Sequence, residues 1–207
     1  AKLGWVVMES PCVLLMLSYA LIVKDELEII HIAFLFLWLL HYIHRTFIYP
    51  FKIKMTNPVM PISIAVSAFC FNLINVSIQG FGIFYFTQYD ENWIFNPVFI
   101  IGTLIFFVGM YINVKSDYLI NEMKKNKGPG YHIPNKFLYK YISAPNYFGE
   151  IIEWIGWAIR TFSISGVVFL LWVVANLFPR AIGHHQWYKN KFEDYPKERK
   201  AIIPGII

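Results

Sequence analysis

Apolar residues gather into six long runs, at about 4–23, 27–47, 59–86, 94–116, 146–160 and 162–178, with polar breaks between them. The breaks are KDELE at 24–28, YPFKIKMTNPVMP at 49–61, TQYDEN at 87–92 and a long connection over 117–145. Roughly 20 apolar residues carry a helix across a bilayer, and a helix satisfies its own backbone polar groups where there is no water. The pattern predicts an all-α, polytopic transmembrane helical bundle of six spans. The fifth run holds about 15 residues and carries Glu150 and Glu153, so it is expected as a short or partly buried span. No repeat, low-complexity tract or separate soluble segment interrupts the series, which predicts one membrane domain over residues 1–207.

The polar exceptions concentrate between Gly109 and Glu153. Asn113 and Asp117 are i,i+4 neighbours at the end of an apolar run, and Asn146, Glu150 and Glu153 fall within about 60° of one another on a helix. Two polar faces on either side of a Lys-rich loop suggest a pocket for a large, phosphorylated ligand with many donors.

Composition agrees with the membrane reading: 57% of residues are hydrophobic and 15% charged, where a soluble domain carries roughly a quarter charged. The 19% aromatic content suits interfacial belts and helix packing, or a flat apolar ligand site. A net charge of +5 raises the question of nucleic acid, but its distribution answers otherwise. Arg45, Lys52 and Lys54 in one loop, six Lys over 115–145 and six Lys or Arg after Phe178 put 15 of the 18 basic residues on one side. The opposite loops hold Asp25, Glu26, Glu28, Asp90 and Glu91 against Lys24. The positive-inside rule then makes the basic loops and the C-terminus cytoplasmic, in the bacterial inner membrane or the endoplasmic reticulum. With six spans, the N-terminal end shares that side. Cys12 and Cys70 lie in apolar runs without metal or redox spacing and read as buried small hydrophobes. No cleavable signal peptide is visible, and the chain begins with Ala, so a segment in front is expected to be missing.

Ionisable residues inside spans are costly and carry functional hypotheses. Glu9, in VVMESPCVLL, is either an interfacial residue near a helix start or a cavity residue held as a neutral acid able to donate a hydrogen bond. In HYIHRTFIYP at 41–50, Tyr42, Arg45 and Tyr49 share a face. That motif is either an interfacial anchor or a phenol and guanidinium set to polarise a carbonyl. His41 and His44 have no third ligand nearby, so no metal site is expected. Lys124, Lys125 and Lys127 follow the Asn113–Asp117–Tyr118 face and suit anionic lipid. Arg180, His184 and Tyr188 repeat at i,i+4 near the C-terminus, as a solvated face or part of the pocket. Neither GxGxxG after a strand nor a P-loop occurs, so any nucleotide site is helical and non-Rossmann.

HYIHRTFIYP, GMYINVKSDYLI, GYHIP, NYFGEIIEWIGWAI and HHQWYKNKFEDYPKERKAIIP, in this order and spacing, resemble the steroid 5α-reductase family of membrane NADPH-dependent reductases. The resemblance runs from about Glu9 to the C-terminus. It implies a family bundle of seven helices, of which this chain is similar to the second to seventh, with cytoplasmic loops closing over a cofactor cavity. It implies reduction of the Δ4 double bond of a 3-oxo steroid, with hydride to C5 and a proton to C4. Glu9 and Tyr42 match the residues that stabilise the 3-keto oxygen. Asn113, Asp117, Tyr131, Asn146, Glu150, Glu153, Arg180, His184 and Tyr188 match the NADPH site, with Arg45, Lys124 and His132 as further cofactor residues. The expected assembly is a monomer in membrane lipid with a steroid or other lipid substrate and no nucleic acid.

Departures bear on specificity. Met8 stands where the animal enzymes have Gln, and Lys124 and His132 replace arginines; at Lys124 a forked donor becomes a point charge. Related enoyl-CoA, polyprenol and sterol reductases would share the cofactor site around another lipid. An isoprenylcysteine-type methyltransferase would use S-adenosylmethionine instead, against which the SDY and GEIIEW stretches argue.

Overall fold

The computed structural model describes residues 1–53, 59–128 and 130–207, and their regular structure is helical. Among the described residues, five helices are long and apolar enough to cross a membrane: Lys2–Ile22, Ile29–Lys52, Ile62–Phe86, Pro97–Lys127 and Ile164–Lys191. The chain is a polytopic helical membrane protein. The fifth expected span is α6 (Pro145–Thr161), with 17 residues. It is too short for the set of long apolar helices, and it carries Glu150, Glu153 and Arg160 as well. Lys54 of the first basic loop lies outside the described residues.

Three helices differ in their boundaries from the sequence pattern. Ile29–Lys52 continues past the break expected from residue 49. The apolar run at 94–116 enters α5 (Pro97–Lys127) only at Pro97, after a 3-10 turn at Trp93–Phe95, and the helix continues through the polar stretch expected as the start of a connection. Likewise α7 (Ile164–Lys191) runs unbroken through Pro179 and takes in the basic segment beyond Phe178. Hydropathy marks where a helix leaves the lipid, whereas Lys, Glu, Met and Leu go on forming helix in water.

The chain divides into two compact units, residues 1–100 with 158–167, and residues 101–157 with 168–207. In the first, α1 (Lys2–Ile22) packs along α4 (Ile62–Phe81). Gly80 permits the approach, since a Cβ there would enter the Tyr19 ring. The second helix starts as α2 (Ile29–Ile43), passes through a π-helical turn at His44–Ile48 and ends as α3 (Tyr49–Lys52). Met16, Ile30, Phe34, Trp38 and Val76 are fully buried in this unit.

In the second unit the seam between α5 and α6 is made by glycines. A Cβ on Gly109 would strike the backbone of Glu153, one on Gly149 the backbone of Asn113, and one on Gly156 the backbone of Phe106. Small residues let membrane helices touch through their main chains, where close packing replaces the missing hydrophobic drive. Trp154, Trp157 and Phe106 fill the core beside the seam. The C-terminal segment is tied down by a parallel bridge between Ile142 and Lys200, extended by Ser143 N–H to Lys200 O at 2.8 Å and Ala144 N–H to Ala201 O at 3.1 Å.

Candidate functional site

The first unit gathers its polar side chains around the MESPC turn of α1. Pro11 has no N–H, which leaves the Val7 carbonyl without its helical partner; the Ser10 hydroxyl donates to it at 2.9 Å. Asn72, from α4, donates to Met8 O at 2.7 Å and to Glu9 Oε2 at 3.2 Å. Trp38 Nε1 donates to Cys12 O at 2.8 Å. Tyr42 is 4% exposed and packs on Trp38 and His41, with ring centroids 4.6 and 4.9 Å away. Cys12 is hydrogen-bonded to Tyr42 and lies within electrostatic range of Glu9. The structure thus brings the two expected catalytic residues around one buried thiol. Both cysteines are free, but Cys70 is exposed, which corrects its expected burial: it sits on an outward face of α4, where an apolar thiol suits lipid.

Arg45 is held by aromatic rings. Its guanidinium carbon lies 4.9 Å from the Trp5 centroid and 4.7 Å from that of Tyr49, and Trp5 Nε1 donates to Arg45 O at 3.0 Å. A delocalised cation stacked this way keeps its charge and loses freedom.

The second unit holds the predicted polar faces in one hydrogen-bonded chain. Asn146 Nδ2 donates to Asp117 Oδ1 at 3.0 Å. Asn113 Nδ2 donates to Asn146 O at 3.1 Å and to Glu150 Oε2 at 3.3 Å. The glycine seam sets this register, because Gly149 places the α6 backbone directly on Asn113. Glu153, one turn further on, is fully buried. Lys124 is half-buried within reach of the Asp117 carboxylate. Tyr131 packs on Trp187 at 4.6 Å, His184 faces Tyr147 at 5.7 Å, and Arg180 is exposed within electrostatic range of His184. His132 Nε2 is 3.4 Å from Gly128 O.

Sequence reasoning missed a cluster beside Tyr188. Tyr188 stacks on Tyr195 at 5.3 Å, and the Arg199 guanidinium lies over the Tyr195 ring, 4.9 Å from its centroid. Arg199 is 3% exposed, and its Nε and Nη1 have no hydrogen-bond partner among the described residues. Ser143 Oγ, His185 Nδ1 and Tyr195 OH close a polar knot at 2.7 and 2.6 Å. The signal lay in the KFEDYPKERK stretch, where Arg199 reads as one more basic residue of a soluble tail.

Residues 58–207 match the 3-oxo-5-alpha-steroid 4-dehydrogenase family. The chain is 41% identical to a steroid 5-alpha-reductase of Solanum lycopersicum, over 99% of this chain and 80% of that protein. It is 42% identical to the Arabidopsis thaliana steroid 5-alpha-reductase over the same shares. It is 38% identical to human 3-oxo-5-alpha-steroid 4-dehydrogenase 1, over 100% of this chain and 80% of the human protein. Such likeness, running through the acid and phenol of the first unit and the amide chain of the second, places the chain in the 3-oxo-5-alpha-steroid 4-dehydrogenase family.

Proposed function

We propose that this protein reduces the Δ4 double bond of 3-oxo steroids, adding hydride at C5 and a proton at C4 to give 5α-reduced products. The observation that carries this reading is the 41% identity to a steroid 5-alpha-reductase along 99% of the chain. NADPH is the cofactor it implies, and when bound it supplies the hydride.

The residues of the second unit fit such a group. The Asp117–Asn146–Asn113–Glu150 chain offers alternating amides and carboxylates, which suit hydroxyl and carboxamide partners. Glu153 extends that face. Arg199, whose buried Nε and Nη1 have no hydrogen-bond partner among the described residues, suits phosphate, and the flat Tyr188–Tyr195 stack beside it suits an aromatic base. Lys124, His132, Arg180 and His184 add cationic or titratable groups that suit phosphates. Tyr131 adds a ring.

Glu9 and Tyr42 act on the substrate's 3-keto oxygen. Negative charge grows there as C5 accepts hydride, so donors aimed at that oxygen bind the transition state better than the ground state. A neutral Glu9 carboxyl donates one hydrogen bond to the enolate oxygen that hydride addition leaves and the Tyr42 phenol the other; a proton from water then adds at C4 and restores the ketone. The orientation we assign places the loops at 45–54 and 115–145 and the segment after Phe178 at the cytoplasmic face, by their excess of Lys and Arg.

The test is turnover by detergent-solubilised protein with NADPH and testosterone or progesterone. The expected product is heavier than substrate by two hydrogens, with matching NADPH loss. Saturable NADPH binding without steroid reduction would move the reading to another lipid double bond.

A further inference from the structure

Asn72 stands in an apolar stretch of α4 and is 6% exposed. A buried amide is costly in such surroundings unless its hydrogens are placed. One hydrogen goes to Met8 O at 2.7 Å and the other to Glu9 Oε2 at 3.2 Å. A backbone carbonyl only accepts, so the bond to Met8 fixes which end of the amide is nitrogen. The group facing Glu9 is therefore a donor, held by its shorter bond to the main chain of the residue before.

That orientation decides how the Glu9 carboxyl is used. An oxygen that accepts the Asn72 N–H serves as the carbonyl oxygen of a neutral acid, which leaves the acidic hydrogen on Oε1. A carboxyl that must donate to a substrate oxygen needs that asymmetry, and it also needs its plane held. Pro11 and Ser10 fix the turn beneath it, with the Ser10 hydroxyl on Val7 O. The carboxyl of Glu9 thus projects from a helix whose local backbone is set by side chains on two sides.

We propose that Asn72 is a positioning residue for Glu9: its amide pins Oε2 and presents the protonated Oε1 to the substrate's keto oxygen. The proposal rests on the steroid-reductase reading and adds to it a residue that touches neither substrate nor cofactor. It also assigns a device to a chain in which the side chain of Met8, next to the acid, is a thioether with no N–H to offer.

Four proteins test it: wild type, Asn72→Leu, Glu9→Gln and the double variant, each assayed for kcat with a 3-oxo-Δ4 steroid and for NADPH binding. Misplacing a catalytic group by about 1 Å costs on the order of 10²-fold, so Asn72→Leu is expected to lower kcat by about 10- to 100-fold with NADPH affinity unchanged. In the Glu9→Gln background the same change is expected to cost almost nothing, because residues acting through one another are non-additive. A residue that only staples α1 to α4 would subtract equally in both backgrounds, and that result overturns the proposal. So does wild-type kcat in Asn72→Leu. Asn72→Ser, shorter but still polar, repeats the cycle if Asn72→Leu does not fold, with the same two outcomes expected. Absence of steroid turnover in the wild type would instead refute the parent reading, and the positioning role with it.

Discussion

Trp38, Asn72 and Gln79 in the first unit each direct a donor to a backbone carbonyl, those of Cys12, Met8 and Ser165. In the second unit Asn146, Asn113 and Ser143 bond largely to other side chains, those of Asp117, Glu150, His185 and Tyr195. The first arrangement pins helices at isolated points and leaves few polar groups to act. The second makes a connected surface in which each group orients the next. A site that must donate to one growing charge suits the first design, and a site that must hold a large polar ligand suits the second. If this difference is functional, damage to the first unit should appear in turnover, and damage to the second in cofactor binding.

The largest effect is expected at the acid and phenol. Glu9→Gln and Tyr42→Phe should each cut kcat by about 10²-fold or more, the scale of losing an oxyanion donor, while NADPH affinity stays nearly unchanged. Steroid turnover and fluorescence titration of NADPH on the same preparations would check this. Wild-type turnover in either variant would remove the role assigned to that residue.

Next comes the glycine seam. Gly149→Ala puts a methyl group into the Asn113 backbone, and overpacking of this kind costs about 1–3 kcal/mol. The expected outcome is a lower melting temperature together with weakened NADPH binding, since the amide chain depends on that register. Gly183→Ala on α7, where a Cβ meets no atom within 4 Å, serves as the neutral comparison. Equal behaviour of the two variants would break the link between seam and site.

Asn113→Ala and Glu150→Ala sharpen the same contrast more gently. Each removes one member of the chain without moving a helix, and loss of a hydrogen bond to a charged group is worth about 1.5–3 kcal/mol. NADPH affinity should fall by roughly tenfold or more, with kcat at saturating cofactor much less affected. Unchanged affinity in both would refute the cofactor assignment of this face.

How far these features could be read from the chain depends on their range. The i,i+4 spacing of Asn113 with Asp117 and of Asn146 with Glu150 is local, and the hydrogen bonds fall on those residues. Loop breaks at 24–28 and 87–92 were equally legible, because charge and turn residues interrupt apolar runs. Helix length was not, since α5 and α7 outlast their apolarity. The contact of Asn72 with Glu9 spans 63 positions; it left no periodic trace beyond an Asn in an apolar run. Nor did spacing show that Gly109, Gly149 and Gly156 form one seam, because that requires knowing which helices pair. The polar character of the C-terminal stretch pointed toward solvent, yet Tyr195 and Arg199 are buried, held there by the main-chain pairing of 141–144 with 200–201.

The smallest effect concerns that pairing. Ser143 Oγ lies 2.7 Å from His185 Nδ1, 2.6 Å from Tyr195 OH and 3.1 Å from Lys200 O. A hydroxyl has one hydrogen, and Lys200 O can only accept, so the network closes when Ser143 donates to that carbonyl and accepts from Tyr195 and from a protonated Nδ1 of His185. The knot therefore fixes a histidine tautomer as well as the C-terminal segment. Ser143→Ala leaves those groups to other partners, and half-exposed His185 recovers some of its loss from water. A cost of about 1 kcal/mol in stability is expected, read as a small drop in melting temperature with kcat nearly unchanged. Because Tyr195 carries both the Tyr188 stack and the Arg199 contact, a modest weakening of NADPH binding should accompany it. Loss of stability without any change in cofactor affinity would show that the knot anchors the segment alone and that the Tyr188–Tyr195–Arg199 column keeps its geometry unaided.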